Sequence, residues 1–339
     1  MLKLKKNKTF IIAEVGLAHD GSLGIAESLI DAAVKSGADA IKFQTHIAEA
    51  ESTLNEKFRI KFSSTDKTRY EYWKRTSFSK AQWKHLKNYC KKKKIHFLSS
   101  VFSLEAVDLL HSIGLKEWKL GSGEVFNIEL INKIISFKNF IILSSGLSNW
   151  SDIKKIVNYL KKKKIKFGLM QCTSKYPITN KDVGINIINA MRKNFNCPVG
   201  LSDHSGKIYP SLLAIANYAD FVEVHVTFDR QMFGPDSSSS LNFEELKFLV
   251  TARNEFFEIL SNPVNKNKLD KDLLYKKKLF GKSIALKKDQ LKGYVINKRD
   301  LTFKKPGFGI NKNFINKIIG KKLNKNLGSN VLLKWEDFS

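Results

Sequence analysis

Over roughly the first 260 residues, two textures alternate, and this alternation constrains the fold more than any other feature. Short apolar runs recur: FIIAEVG (10–16), AIKFQT (40–45), IHFLSS (95–100), EWKLGSG (117–123), FIILSSG (140–146), KFGLMQCT (166–173), CPVGLSD (197–203) and DFVEVHVT (220–227). Continuously apolar runs of this length suit strands buried on both faces. Longer amphipathic segments lie between them. GIAESLIDAAVKSGAD places Ile25, Leu29, Ala33 and Val34 on one helical face and closes on a glycine stop signal. SLEAVDLLHSIG and SDIKKIVNYLKKKK read the same way, the second with Ser151 placed to cap the helix. Eight strand–helix units predict a parallel sheet closed into a (β/α)8 TIM barrel over residues 1–262. An open doubly wound sheet is the alternative, but no early GxGxxG turn supports it.

The texture changes after Asn262. Residues 263–278 are polar, carry a proline and read as a linker. Residues 279–339 break into short strand-like pieces separated by turn residues, which predicts a small, mostly β domain. A domain of that size buries a marginal core.

Charge enters as a possible sign of partners. The chain carries 59 basic and 32 acidic residues, a formal net charge of +27. The basic residues are nearly all lysines, and they travel with Asn and Ile, which share A/T-rich codons. We therefore read the charge as compositional. No Arg-rich, aromatic-interleaved stretch indicates a nucleic-acid partner. The lysine runs at Lys91 and Lys161 fit helix C-termini, where cations are favoured. Cys90, Cys172 and Cys197 have neither disulfide nor zinc spacing. Glu14 interrupts the first apolar run too early for a signal peptide, and no stretch is apolar enough to insert in a membrane. A cytoplasmic location is expected.

In a barrel of this kind the active site forms at the C-terminal ends of the strands, and here polar residues gather at those ends. They are Glu14, then His19; Lys42 and Gln44; Ser99 and Ser100; Lys119, Ser122 and Glu124; Ser144 and Ser145; Thr173, Ser174 and Tyr176; Asp203 and His204; Glu223 and His225. Each has an ordinary structural explanation, and their common position is the stronger argument. Lysines, serine hydroxyls and the turns GSG and SSG, with their backbone N–H groups, suit an anion such as a phosphate. Two imidazoles from neighbouring strands suit a divalent ion with open positions.

The blocks IIAEVGLAHDG, ADAIKFQTH, WKLGSGE, ILSSGLS, QCTSKYP, GLSDHS, EVHVTFD and GPD resemble, in order, those of the sialic acid (N-acetylneuraminate) synthase family. The tail from Gly281 resembles that family's antifreeze-like SAF domain. The resemblance implies condensation of phosphoenolpyruvate with the open-chain aldehyde of an N-acetylmannosamine-type sugar, releasing phosphate. It implies phosphoenolpyruvate binding by Lys42, Ser100, Lys119, Ser122, Ser144 and Ser202, and Mn²⁺ or Mg²⁺ on His204 and His225. It implies catalytic roles for Glu124, Glu14 and Lys119, and sugar contacts from Glu14, Ser174, Tyr176, Asp236 and Lys305. Lys305 would act across a domain-swapped homodimer.

Several sugar-side positions depart from the family pattern: Ala18 replaces Asn, Ser174 replaces Asn, and Lys305 replaces the Arg of the tail's RPG. Arg and Lys are not equivalent where a planar donor fork is used. The alternatives are therefore the same chemistry on a deoxy-diamino sugar, giving a legionaminic- or pseudaminic-type acid, or a catalytically dead synthase-like binding protein. Condensation with another aldose, as in octulosonate or heptulosonate formation, is disfavoured by the tail.

Overall fold

The computed structural model describes residues 4–339. They form two compact units, divided between Asn262 and Pro263. In the first, eight strands close into a parallel barrel in simple sequence order. They are β1 (Phe10–Gly16), β2 (Ala40–Thr45), β3 (His96–Val101), β4 (Glu117–Leu120), β5 (Phe140–Ser144), β6 (Phe167–Cys172), β7 (Val199–Asp203) and β8 (Phe221–His225). β8 pairs back onto β1, with His225 opposite Glu14. The closed barrel, rather than an open sheet, is the observed architecture.

The strands alternate between two interiors because successive side chains point to opposite faces. One set, including Ile11, Ile41, Val101, Trp118, Ile141, Leu169, Leu201 and Val222, packs outward against the helices in a continuous core. The other set points into the barrel. Phe10, Ile12, Ala40, Leu98, Phe140, Ile142, Met170 and Phe221 fill its lower part. Toward the C-terminal end of most strands the inward positions turn polar, as at Glu14, Lys42, Ser100, Ser144, Ser202 and Glu223, which places the polar tier at the mouth. The seam between β7 and β8 is tight. A Cβ on Gly200 would lie 2.3 Å from the Phe221 carbonyl oxygen, so a side chain there has no room.

Helices start and stop largely where their end residues dictate. Leu23–Ser36 is capped by Ser22 and ends at Gly37 in the left-handed region (φ 80°). Its buried face is Ala26, Leu29, Ile30 and Ala33, one residue round from the expected one, and Ile25 and Val34 are only partly buried. Helix Trp150–Lys162 is capped by Asn149 rather than Ser151. Asn149 accepts from the Asp152 N–H (3.1 Å) and Asp152 accepts from the Asn149 N–H (3.2 Å), so both orphan donors are satisfied one turn-start earlier. The lysine runs fall in the last turns of Lys80–Lys93 and Trp150–Lys162, as expected.

The second unit has its own apolar core, with Ile284, Leu286, Ile296, Leu301, Ile310, Ile318 and Leu333. β9 (Ser283–Leu286) and β10 (Leu301–Lys304) form a two-stranded antiparallel sheet, supplemented by isolated bridges. The segment expected to be a linker contains the start of a helix, Lys271–Phe280, because Asp270 accepts from the Leu273 N–H and caps it. Among the described residues no helix is long and apolar enough to cross a membrane.

Candidate active site

The polar tier surrounds a cleft of about 490 Å³ at the barrel mouth. Its floor is a set of four buried charges. Lys42 Nζ lies 2.7 Å from Glu14 Oε2 and 3.8 Å from Glu223 Oε2. Lys119 Nζ lies 3.3 Å from Glu223 Oε1. Serine hydroxyls complete the set: Lys42 donates to Ser100 Oγ (2.8 Å), Lys119 to Ser144 Oγ (2.8 Å), and Ser202 to Glu223 Oε1 (3.0 Å).

The two lysines differ in their electrostatics. Burial alone pulls the Lys42 ammonium down, but Glu14 and Glu223 offset it and hold its pKa above the ordinary value. Lys119 is held below its ordinary value, because burial and then the Lys42 charge outweigh its single close carboxylate. Burial pushes the Glu223 carboxyl upward, yet Lys119 and Lys42 together hold it low.

On one wall stand the two imidazoles, His204 just past β7 and His225 at the end of β8, with ring centroids 5.3 Å apart. His204 Nδ1 lies 3.2 Å from the Thr173 carbonyl, which fixes that nitrogen as the donor when the ring is neutral. Burial, reinforced by His225, pushes the His204 pKa down to about 3, so the ring is neutral. Nε2 then carries the lone pair, within reach of the Tyr176 hydroxyl (3.3 Å) and Ser202 Oγ (3.4 Å). A neutral imidazole whose far N–H is anchored on a carbonyl is the arrangement metal-binding histidines use. His204 is thus presented as a ligand through Nε2, with the His225 ring beside it. Among the described residues no cluster of three His, Cys, Asp or Glu side chains could enclose a metal ion, so remaining positions would fall to substrate or water.

The structure brings together Glu14, Lys42, Ser100, Lys119, Ser122, Glu124, Ser144, Ser174, Tyr176, Ser202, His204, His225 and Asp236 around one cleft. Lys305 belongs to the second unit, with its ammonium 5.9 Å above the Phe280 ring. Two expectations need correction. The amide of Gly146 in the SSG turn does not point at an open anion site; it donates to Ser122 Oγ (3.0 Å). His19 does not line the cleft: it is buried, stacks on Phe78 (4.5 Å) and accepts from the Gly21 N–H. Glu124, half-buried on a 3₁₀ turn (Ser122–Glu124), has its pKa raised by burial.

Glu223 stands two positions before His225 on one strand, so the alternation VEVH placed both at the mouth, as expected, though the sequence assigned Glu223 no ligand role. Sequence reasoning missed other lining residues. Arg59 sits over the Tyr176 ring (3.9 Å) and pairs with Asp236 (3.3 Å), but it comes from an irregular stretch with no periodicity to reveal it. His46 and Glu51 follow β2 and pair at 3.0 Å.

A TIM barrel whose mouth sets paired lysines and serines beside two imidazoles defines an enzyme class, one acting on a small anionic substrate. Comparison with known proteins narrows that class. Residues 29–265 match the NeuB family. The chain is 35% identical over 333 residues to N,N'-diacetyllegionaminic acid synthase of Campylobacter jejuni, covering 96% of this chain and 99% of that one. It is 33% identical to human N-acetylneuraminate-9-phosphate synthase, covering 87% and 82% respectively. The crystal structure of N-acetylneuraminic acid synthetase from Leptospira borgpetersenii superposes with a TM-score of 0.70 at 32% identity, covering 81% of this chain and 92% of that one. The chain belongs to the NeuB family.

Proposed function

We propose that this protein is a nonulosonic acid synthase, condensing phosphoenolpyruvate with the open-chain aldehyde of an N-acetylmannosamine-type sugar. The observation that carries the reading is the polar tier itself: two buried ammonium groups and their serine partners sit beside two imidazoles in one cleft. Lys42, Lys119, Ser100, Ser122, Ser144 and Ser202 bind the phosphate and carboxylate groups. The enol carbon attacks the aldehyde carbon, whose oxygen takes up a proton. Water adds at the resulting cationic carbon and loses one proton, leaving a hydroxyl. That hydroxyl gives up its proton and becomes the keto oxygen as the C–O bond to phosphate breaks and inorganic phosphate leaves. Glu124, with its raised pKa, suits the proton exchange with that water. Glu14, Ser174, Tyr176 and Asp236 position the acceptor. His204 and His225 would hold Mn²⁺ or Mg²⁺, whose chemistry when bound is to polarise the aldehyde. Lys305 acts on the partner's acceptor in a swapped homodimer. The enzyme works in the cytoplasm, where phosphoenolpyruvate is made.

A deoxy-diamino acceptor is the second reading. Ser174 lines the cleft where the resemblance leads one to expect asparagine, and two N,N'-diacetyllegionaminic acid synthases match at 35% and 32%. Phosphate release from phosphoenolpyruvate against a panel of N-acetylmannosamine, its 6-phosphate and 2,4-diacetamido-2,4,6-trideoxymannose tests both. No release with any acceptor, with Mn²⁺ and Mg²⁺ each supplied, overturns the synthase reading. Exhaustive chelation is expected to abolish turnover, and His204→Ala to weaken metal binding measured by calorimetry. Full activity in chelator removes the two-imidazole site.

A further inference from the structure

Beside the four-charge floor a hydrogen-bonded chain runs up to the rim of the cleft. Glu14 Oε1 accepts from Gln44 Nε2 (2.9 Å). Gln44 Oε1 lies 3.2 Å from His46 Nε2. His46 Nδ1 lies 3.0 Å from both oxygens of Glu51. The imidazole is gripped from its two faces as well, stacked on Trp73 (centroids 4.6 Å, 11°) and on Phe102 (4.2 Å, 9°). We propose that His46 is a positioning residue for acceptor binding: held by Glu51 and clamped between Trp73 and Phe102, it fixes the Gln44 amide, which aims Glu14 into the cleft. The proposal rests on the synthase reading for the identity of the acceptor.

The physical argument concerns which way an amide faces. Gln44 can present either its oxygen or its NH₂ to Glu14. Only the NH₂ is tolerable against a carboxylate, because an oxygen there would be an acceptor facing an acceptor. With the NH₂ spent on Glu14, the Gln44 oxygen is left facing His46 Nε2, and it is satisfied only if that nitrogen carries a proton. Nδ1 needs a proton too, since both Glu51 oxygens face it. Both ring nitrogens therefore donate, and the ring so charged lies between two aromatic faces, which suit a cation. Glu51 supplies the balancing charge. Removing His46 frees the amide to turn over, and Glu14 then loses its lateral partner while keeping Lys42. The acceptor, not phosphoenolpyruvate, is the ligand that feels this, because Lys42 and Lys119 remain in place.

Three substitutions separate positioning from packing. His46→Gln keeps a donor near the Nε2 position and gives up Glu51. His46→Asn keeps a donor near Nδ1 and gives up Gln44. His46→Phe keeps the stack and gives up both. We expect KM for the acceptor to rise roughly tenfold or more in the Asn and Phe variants, the loss typical of a hydrogen bond to a charged group. KM for phosphoenolpyruvate should move little, and the Gln variant should lie closest to wild type. Wild-type kinetics from His46→Phe, or equal losses from Gln and Asn, would make the residue a packing element and sink the proposal. A second measurement does not depend on turnover. In protein labelled with ¹⁵N-histidine, His46 should show hydrogen-bonded protons on both ring nitrogens, and Gln44→Met should expose the Nε2 proton to exchange. A single ring proton in the wild type overturns the proposal even if the enzyme is active. Failure of wild-type turnover with every acceptor, by contrast, counts against the synthase reading and leaves the spectrum to decide the role of His46.

Discussion

Lys42 and Lys119 share one tier but not one electrostatic position. Lys42 has a carboxylate at 2.7 Å, while Lys119 has its nearest at 3.3 Å and is held below its ordinary pKa by burial. Lys119 is thus the more available of the two for an incoming anion. Lys119→Met is expected to raise KM for phosphoenolpyruvate by roughly tenfold or more, with a much smaller change for the acceptor. Equal losses on both substrates in steady-state assays would count against that role. His19 makes a different prediction. Its burial, with a smaller contribution from His46, pushes its pKa down to about 3. The unfolded chain takes up a proton on this ring below its ordinary value of 6.5 and the folded one does not, so stability is lost as pH falls from there toward 3. At about pH 5 the loss relative to pH 8 is about 2 kcal/mol. His19→Asn keeps an acceptor for the Gly21 N–H, and urea unfolding should show its pH dependence reduced by about that amount. An unchanged slope would mean the ring is not buried in its neutral form. The lysines and histidines of the cleft were legible because they fall at the ends of apolar runs. Arg59 and Glu51 were not, since they lie beyond the strands; His46, one residue past β2, continues the alternation of Lys42 and Gln44 and was overlooked.

At the level of elements, the eight apolar runs marked the strands to within two residues at every end but one, β4 stopping three residues before its run does. The shift where the runs extend further has a physical cause: Ser122–Glu124 and the Gly146 turn leave the sheet to satisfy their own hydrogen bonds. The capping of Trp150–Lys162 was misplaced because Ser151 and Asn149 are both good N-caps by type. Only Asn149 has an acidic residue three positions on to complete the reciprocal pair. Barrel closure depends on contacts invisible in the sequence pattern, such as the close passage of Gly200 against β8. Gly200→Ala places a methyl group 2.3 Å from the Phe221 carbonyl oxygen and 2.6 Å from its Cβ. Backbone cannot yield as a side-chain tip does, so a loss of about 3 kcal/mol or more is expected in denaturant unfolding. A loss below about 1 kcal/mol would mean that the seam can open.

For the whole molecule, each unit has its own buried core. A chain ending at Asn262 is therefore expected to fold, giving a cooperative thermal transition and retaining phosphoenolpyruvate binding, while losing most turnover if Lys305 serves the acceptor. The arrangement across a dimer has a sharper test in mixed oligomers of Lys305→Ala and His204→Ala. If the tail acts on the partner, one site of each heterodimer carries both lesions and the other none, so part of the activity returns. Verified heterodimers without any recovery would remove the swapped arrangement. The two-unit division was readable as a change of composition after Asn262. The helix at Lys271 was not, because its lysine-rich sequence is as polar as a linker.

The floor of the cleft has a consequence for the end of the catalytic cycle. Two ammonium groups already face two carboxylates there, so the resting enzyme carries its own counter-ions. Any anion must displace resident partners to stay. Phosphoenolpyruvate does so with two charged groups acting at once, whereas the departing inorganic phosphate has one. The resident carboxylates therefore act as competitors of the by-product, and inhibition by added phosphate should be weak compared with the affinity for phosphoenolpyruvate. Phosphate binding as tight as that of phosphoenolpyruvate would count against such competition by the resident carboxylates.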